Sequence, residues 1–228
     1  MSASRTLRFH FVTLFKEVCE SYLNTSILGR AQKQKKIKIT YQNPRDFVTN
    51  AYGKVDERPY GGGPGMVLQA MPIVRAVEHT LRRRLTPKKK AVLIWLTPGG
   101  TDFTNTIATK LTSYDDIVLI SGRYEGVDER ALRMLKTVLP VRKYSTGNYT
   151  LTGGELPAMA IIDAVTRRIK GVPGNDTSIE ERRIASREIY TRPEIIKWKG
   201  KSYRVPKVLT TGNHARIDQW KKGKQKKQ

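Results

Sequence analysis

The residues best suited to binding a small molecule lie in one stretch, 143–157, which reads Lys-Tyr-Ser-Thr-Gly-Asn-Tyr-Thr-Leu-Thr-Gly-Gly-Glu-Leu-Pro. It combines three glycines, two tyrosines and four hydroxyl side chains in front of an apolar run. Glycines adopt conformations closed to other residues and let a ligand approach the main chain closely. Thr152 and Glu155 have the spacing of a helix capping box, and Pro157 suits a first helical turn. These residues alone leave two interpretations open, a ligand clamp or an ordinary loop that begins a helix.

Two further loops have a similar character and also follow apolar runs. Residues 96–100 read Leu-Thr-Pro-Gly-Gly, and residues 121–126 read Ser-Gly-Arg-Tyr-Glu-Gly. Parallel strands place their ligand loops at their carboxyl ends, so three such loops in succession predict a shared site. None of them is a P-loop or a G-x-G-x-x-G fingerprint, which disfavours nucleoside triphosphates and NAD.

The elements that must position these loops alternate between strand and helix. The lengths and periodicity of the apolar runs predict strands at 7–14, 36–41, 91–96, 117–120 and 138–142, and helices at 15–23, 69–84, 103–112, 127–135 and 155–169. Residues 43–68 are predicted as a long functional loop. The alternation favours an α/β domain with a mainly parallel sheet, and the apolar helix at 155–169 should be buried.

Composition indicates the partner. Lys and Arg number 43 against 20 Asp and Glu, a net charge of +23, and +18 remains when the five lysines of the last eight residues are left out. An excess of this size points to a polyanion, with nucleic acid first. A structural ribosomal protein would explain the charge but not three ordered glycine loops. No apolar run approaches the ~18–20 residues of a membrane span, and no signal region is seen, so we expect a cytoplasmic protein.

The sequence predicts no metal site. His10, His79 and His214 lack metal-ligand spacing. The lone Cys19 excludes an internal disulfide and a cysteine-based zinc site, and we interpret it as a packing residue.

Six motifs occur in the order found in one known family. They are Val55-Asp-Glu-Arg-Pro-Tyr-Gly-Gly-Gly-Pro-Gly-Met66, Leu96-Thr-Pro98, Gly122-Arg-Tyr-Glu-Gly-Val-Asp-Glu-Arg130, Ser145-Thr-Gly-Asn-Tyr149 with Gly153-Gly-Glu-Leu-Pro157, Tyr190-Thr-Arg-Pro193 and Gly212-Asn-His214. With these motifs the chain resembles the bacterial tRNA (guanine-N1)-methyltransferase family, TrmD, of the SPOUT superfamily. The resemblance covers about residues 7 to 220.

The resemblance implies a SPOUT-type trefoil-knotted, mainly parallel α/β sheet flanked by helices, with a small C-terminal helical appendage. It divides the chain into a knotted S-adenosylmethionine (SAM) domain at 1–170, a flexible catalytic linker at 171–189 and a small basic tRNA-binding region at 190–228. It also implies a homodimer that methylates N1 of guanine 37 in tRNA, just 3′ of the anticodon, with Mg²⁺ suggested by the family's chemistry. The family usually continues with more helix after Trp220, so we expect a reduced tRNA-gripping region.

The family's site residues carry over by motif. The implied SAM contacts are Trp95, Leu96, Pro98, Gly122, Thr146, Gly147, Asn148, Tyr149, Thr150, Leu151, Gly153 and Gly154, with Asn148 standing where the family usually has Asp. The implied substrate contacts are Tyr124, Glu125, Arg192, Asn213 and His214. Arg167 matches the arginine that stabilises charge on guanine O6, its alternative role being a salt bridge with Asp163. Glu125 would accept hydrogen bonds from the guanine edge, or else pair with Arg123.

The general base departs from the family pattern. The linker reads Ser178-Ile-Glu-Glu-Arg-Arg-Ile184, which puts Arg182 where the family has its catalytic Asp. Our hypothesis is that the neighbouring Glu181 takes the proton of guanine N1, with Glu180 and Asp176 behind it. The alternative function is a SAM- and RNA-binding protein of the same fold with weak or no catalysis.

Overall fold

The apolar runs of the sequence become adjacent strands of one sheet. The computed structural model describes residues 5–49, 52–82, 90–173 and 188–222. The chain divides into two units, Met1–Pro173 and Gly174–Gln228. The strands are β1 (Leu7–Val12), β2 (Ile37–Gln42), β3 (Asp56–Glu57), β4 (Val67–Leu68), β5 (Ala91–Asp102), β6 (Asp116–Ile120), β7 (Val141–Ser145), β8 (Ile195–Trp198) and β9 (Lys201–Arg204). The helices are α1 (Lys16–Leu23), α2 (Ser26–Lys33), α3 (Ala70–Leu81), α4 (Asn105–Leu111), α5 (Glu129–Leu135), α6 (Glu155–Thr166) and α7 (His214–Lys222).

The central sheet of the first unit has five strands in the order β2-β1-β6-β5-β7, and every pairing is parallel. Its inner strands are buried on both faces. Successive residues of β6 alternate between two core clusters, with Ile117 and Leu119 in one and Val118 and Ile120 in the other. Strand β5 alternates in the same way. The predicted α/β fold with a parallel sheet flanked by helices is therefore confirmed, while the knot stays a prediction.

Helix α6 is largely buried, as its apolar sequence predicts. Ala158, Ile161, Ile162 and Val165 are fully buried in the cluster that also holds the side chains of α1 and α2. The helix begins at Glu155, with Gly154 as its N-cap residue, and no side chain caps it. The predicted capping box of Thr152 and Glu155 is therefore wrong, because Glu155 occupies the first helical position and its carboxylate bonds elsewhere.

Several elements of the first unit differ from the sequence prediction. Helix α2 was not predicted, since it is only eight residues long and includes Gly29. The long loop at 43–68 contains a 3₁₀ turn at Pro44–Phe47 and the antiparallel pair β3–β4. Strand β7 begins at Val141 rather than at 138, because Pro140 has no N–H to donate to a ladder.

The second unit was predicted as a helical appendage and also contains a β-hairpin. Strands β8 and β9 pair antiparallel, and every residue of both is exposed. A 3₁₀ turn at Lys207–Thr210 and helix α7 follow. Among the described residues of the chain, no helix is long and apolar enough to cross a membrane.

Candidate cofactor and substrate site

A segment within β5 and the loops at the carboxyl ends of β6 and β7 surround one cleft of about 270 Å³. This arrangement confirms the prediction that the three glycine-containing segments meet. The cleft is lined by Leu96, Thr97, Pro98, Gly122, Tyr124, Glu125, Gly126, Tyr144, Ser145, Thr146, Gly147, Tyr149, Thr150, Leu151, Thr152, Gly153, Gly154 and Pro157.

Ten of the twelve residues named as SAM contacts line this cleft, and the other two do not. The side chain of Trp95 is 7% exposed and packs in the core cluster on one face of the sheet. Asn148 is exposed to solvent. Sequence reasoning did not single out Thr97, Tyr144 or Ser145 as contacts, although each lies inside or beside a segment that it had quoted.

A bulge in β5 shapes one side of the cleft. Both Leu96 and Thr101 pair with Tyr144 of β7, so the residues between them leave the ladder. The segment predicted as a loop after the strand is thus an irregularity within a longer strand. Gly100 lies so close to β7 that a Cβ atom there would meet the Tyr144 main chain at 2.5 Å.

The opposite wall depends on close main-chain contact at Gly154. Its N–H donates to the carbonyl of Gly122 at 2.8 Å, and a Cβ atom at 154 would lie 2.9 Å from the Gly122 nitrogen and the Ser121 Cα. The φ angle of Gly154 is −85°, which any residue can adopt. Glycine is therefore required here because a side chain would have no space. The unusual backbone conformation that the sequence suggested is not the reason.

Aromatic side chains border the cleft and are accessible from it. Tyr124 is 51% exposed, and its φ of +57° is uncommon for a residue with a side chain. Tyr149 is 57% exposed, and its hydroxyl donates to the Thr146 carbonyl at 3.2 Å. Burial raises the pKa of Tyr144, which keeps its hydroxyl neutral. Exposed rings of this kind can stack on a planar base.

Glu125 lies between the cleft and the glycine-rich segment at 61–65. Its N–H donates to the Met66 carbonyl at 3.0 Å, and a Cβ atom at Gly65 would lie 2.6 Å from its carboxylate. Arg123 does not serve as its loop-fixing partner, because the guanidinium of Arg123 lies against Glu155 instead, with Nε 2.9 Å from Oε2. Glu125 is one of the residues that line the cleft, and a carboxylate can accept hydrogen bonds from a ligand.

Arg167 lies at the far end of α6 from the cleft. It is exposed and forms the C-cap of that helix, whereas Gly154 and Pro157 at the other end line the cleft. A helix of 12 residues is about 18 Å long at 1.5 Å per residue. The carboxylate of Asp163, the alternative partner of Arg167, accepts a hydrogen bond from the hydroxyl of Tyr22.

The remaining predicted substrate residues belong to the second unit. The side chain of Asn213 accepts a hydrogen bond from the Arg216 N–H at 3.1 Å and so begins α7, of which His214 is the first residue. Arg192 is exposed. Glu181, Glu180 and Asp176, the candidates for the general base, lie outside the described residues.

The fold and the cleft together define the chain as an α/β protein with a parallel sheet and a cleft lined by segments of β5 and of the loops after β6 and β7. A family model described as tRNA (Guanine-1)-methyltransferase TrmD matches residues 7–228, and the chain belongs to that family. The resemblance inferred from the six motifs is therefore confirmed.

The chain is similar in sequence to individual relatives over most of their length. The chain is 38% identical over 220 residues to the tRNA (guanine-N(1)-)-methyltransferase of Clostridioides difficile (strain 630), covering 95% of this chain and 91% of that protein. It is 40% identical over 219 residues to the enzyme of the same name from Thermomicrobium roseum, covering 95% and 78%. For the enzyme of that name from Carboxydothermus hydrogenoformans, the identity is 39% over 220 residues, covering 95% and 81%.

Proposed function

We propose that this protein transfers a methyl group from SAM to N1 of the guanine at position 37 of tRNA. The observation that carries the proposal is the cleft formed jointly by the motif segment within β5 and those after β6 and β7. These are the segments on which the family resemblance depends, and they converge although more than 40 residues separate the first from the last.

The cleft has the chemistry that SAM requires. Leu96, Pro98 and Leu151 offer an apolar surface for a purine, and hydroxyls such as that of Thr150 offer polar contacts. Gly153 and Gly154 leave main-chain groups accessible on the opposite wall. When bound, SAM supplies an activated methyl group on a sulfonium centre.

The guanine would lie beside Tyr124 and Glu125. The Glu125 carboxylate would accept hydrogen bonds from the N1–H and N2 edge, and the exposed ring of Tyr124 would stack on the base. N1 carries a proton near neutral pH, so its attack on the methyl carbon needs a general base, for which we propose Glu181. As that proton leaves, negative charge develops on O6, where the Arg167 guanidinium would stabilise it.

The position of Arg167 supports a homodimer. The cleft of one chain lies at the amino end of α6, about 18 Å from the carboxyl end that holds Arg167. A second copy that brings its own Arg167 to this cleft would complete the site. We therefore propose that each active site combines the SAM cleft of one subunit with Arg167 of the other.

The basic charge of the chain supports tRNA as the substrate. Lysines and arginines neutralise backbone phosphates and release counterions, an effect that supplies affinity without sequence preference. The hairpin of the second unit adds an exposed Trp198, whose ring lies 4.6 Å from the Lys199 ammonium. We expect Arg192, Asn213 and His214 to contribute to tRNA binding from the same unit.

Mg²⁺ remains an expectation from the family alone. Within the described ranges, no group of three or more His, Cys, Asp or Glu side chains could hold a metal ion. We therefore assign no step of the reaction to a metal.

The function is tested by incubating the protein with methyl-labelled SAM and two tRNA transcripts that differ only in carrying guanine or adenine at position 37. Label recovered as 1-methylguanosine only from the guanine transcript supports the proposal. Binding of SAM and tRNA without transfer would instead identify the non-catalytic alternative, and binding of neither would overturn both.

The general base is tested separately by single-turnover methylation. Glu181→Gln replaces the carboxylate by an amide of similar size. We expect it to reduce the methylation rate by about 10²-fold or more. Glu180→Gln is the matched control and should retain most of the rate. An unchanged rate in Glu181→Gln rules this residue out as the base.

A further inference from the structure

The carboxylate of Glu155 is buried behind the cleft and is held from two sides. Glu155 is 3% exposed and is not one of the residues that line the cleft. Oε1 accepts a hydrogen bond from the hydroxyl of Thr13 at 2.9 Å, and the same hydroxyl accepts the Phe15 N–H at 3.0 Å. Glu155 is therefore tied to the segment that follows β1, the strand beside β6.

Arg123 is the charged partner of this carboxylate. Its Nε lies 2.9 Å from Oε2 of Glu155, and both atoms are buried without a well-directed hydrogen bond, so the contact is mainly ionic. The guanidinium also covers the Phe15 ring, with 4.6 Å between its carbon and the ring centre. Its Nη1 donates to the Thr152 carbonyl at 3.4 Å.

These contacts join two of the three cleft segments. Arg123 and Gly153 form an isolated antiparallel bridge, and Gly154 bonds to Gly122 immediately beside it. A Cβ atom at Gly153 would lie 2.5 Å from Nε of Arg123, so the side chain fills the space directly behind this main chain. Gly122, Gly153 and Gly154 present their other side to the cleft.

We propose that Arg123 and Glu155 are a positioning pair that fixes this wall of the cofactor cleft. This assignment rests on the proposed function, since SAM is the ligand whose site the pair shapes. Neither side chain needs to touch SAM, because the pair acts through the main chain of 121–123 and 152–154. The Thr13 hydroxyl orients the carboxylate, and the Arg123 guanidinium carbon lies over the Phe15 ring.

Substitutions of the pair can distinguish a role in positioning the cleft wall from a role in stabilising the fold. Removing one member of a buried ion pair leaves the other charge buried without a partner and destabilises the fold. Neutralising both members often restores stability. A pair that only stabilises should regain SAM affinity together with stability. A pair that positions the wall should not, because neutral side chains no longer pull the two segments together.

The test compares Arg123→Met, Glu155→Gln and the double variant by isothermal titration with SAM and by thermal unfolding. We expect lower unfolding midpoints in the single variants and a midpoint within about 3 °C of native in the double variant. The dissociation constant for SAM should stay raised by about 10-fold or more in all three. Arg5→Met, which breaks the exposed Arg5–Asp115 pair of 2.7 Å, is the control and should leave that constant unchanged.

Arg123→Lys keeps the fold testable if the double variant does not fold. It retains the charge but loses the planar contacts to Phe15 and to the Thr152 carbonyl. A midpoint close to native with SAM binding weakened by about 3-fold or more supports positioning. Native affinity in Arg123→Lys or in the double variant overturns it, as does equal weakening in Arg5→Met. Failure of the native chain to bind SAM would instead overturn the proposed function, and the positioning role with it.

Discussion

His10 and Asp116 form a buried pair within the central sheet, with Nε2 of His10 2.7 Å from Oδ1 of Asp116. Both residues are 1% exposed. The other ring nitrogen, Nδ1, lies 2.7 Å from the Thr40 hydroxyl. The imidazole therefore links β6, β1 and β2, and a histidine without metal-ligand spacing in the sequence has a structural role in the sheet.

Asp116→Ala should lower the free energy of unfolding by about 2–3 kcal/mol, because it leaves a buried ring nitrogen without its hydrogen-bond partner. Chemical denaturation measures this loss. Glu129→Ala is the surface control, since Glu129 pairs with Lys143 at 3.0 Å, both side chains are exposed, and its loss should cost about 1 kcal/mol or less. Equal losses in the two variants would contradict a special role for the buried pair.

Gly154→Ala should weaken SAM binding by about 10-fold or more. The added Cβ atom would lie 2.9 Å from main-chain atoms of Ser121 and Gly122, so the cleft wall must move. Gly99→Ala is the matched control, because a Cβ atom there meets nothing within 4 Å. Titration with SAM measures both, and an unchanged constant in Gly154→Ala would show that the wall tolerates the shift.

Arg167→Ala should lower the methylation rate by about 10²–10³-fold while leaving SAM binding intact, because its guanidinium acts on charge that develops at O6. Single-turnover kinetics and SAM titration measure the two quantities. Arg168→Ala is the adjacent control, since that side chain bonds to the carbonyls of Asn105 and Ala164. A parallel loss of SAM affinity would contradict the assigned role.

Mixing Arg167→Ala chains with Gly154→Ala chains tests whether two subunits share a site. A mixed dimer contains one site with a native cleft and a native Arg167, so activity should rise well above that of either variant alone. If each site used residues of a single chain, no mixed dimer would contain an intact site. Activity after subunit exchange distinguishes the two arrangements.

The buried thiol of Cys19 should make the free energy of unfolding depend on pH in the alkaline range. Burial, with the nearby Glu155 charge, raises the pKa of Cys19 to about 12. Because the folded state holds the neutral thiol, its contribution is present below the pKa of the unfolded chain and is lost as pH rises above it. The difference in unfolding free energy between the native chain and Cys19→Ala should therefore narrow from pH 8 to pH 11. A constant difference would contradict this.

Two hairpin variants should affect tRNA binding in different ways. Lys201→Gln should reduce the slope of log affinity against log salt by about 1, as expected for a lost phosphate contact. Trp198→Ala should weaken binding by about 1–3 kcal/mol with the slope unchanged, as expected for lost stacking. Filter binding at several salt concentrations measures both. Identical behaviour of the two variants would argue against separate roles.

Much of the fold could be predicted because its signals are local. The runs at 91–96 and 117–120 are apolar throughout, a pattern typical of strands buried on both faces, and both strands are observed. Helix α2 was missed because it is only eight residues long and contains Gly29. The β8–β9 hairpin was missed because its apolar residues do not alternate with polar ones and all of them are exposed. The three cleft segments were found because each combines glycine with hydroxyl or aromatic groups at the end of an apolar run.

The sequence by itself determined the alternation of helices with the strands of the central sheet, the basic character and the family, since these depend on residue types and on motifs read along the chain. Only the tertiary structure decided that Glu155 pairs with Arg123 rather than capping its own helix. It also decided that Gly154 is needed for space and that Arg167 lies a helix length from its own cleft. These relationships join residues that are distant in sequence or at opposite ends of one helix, and their distances follow from packing in three dimensions.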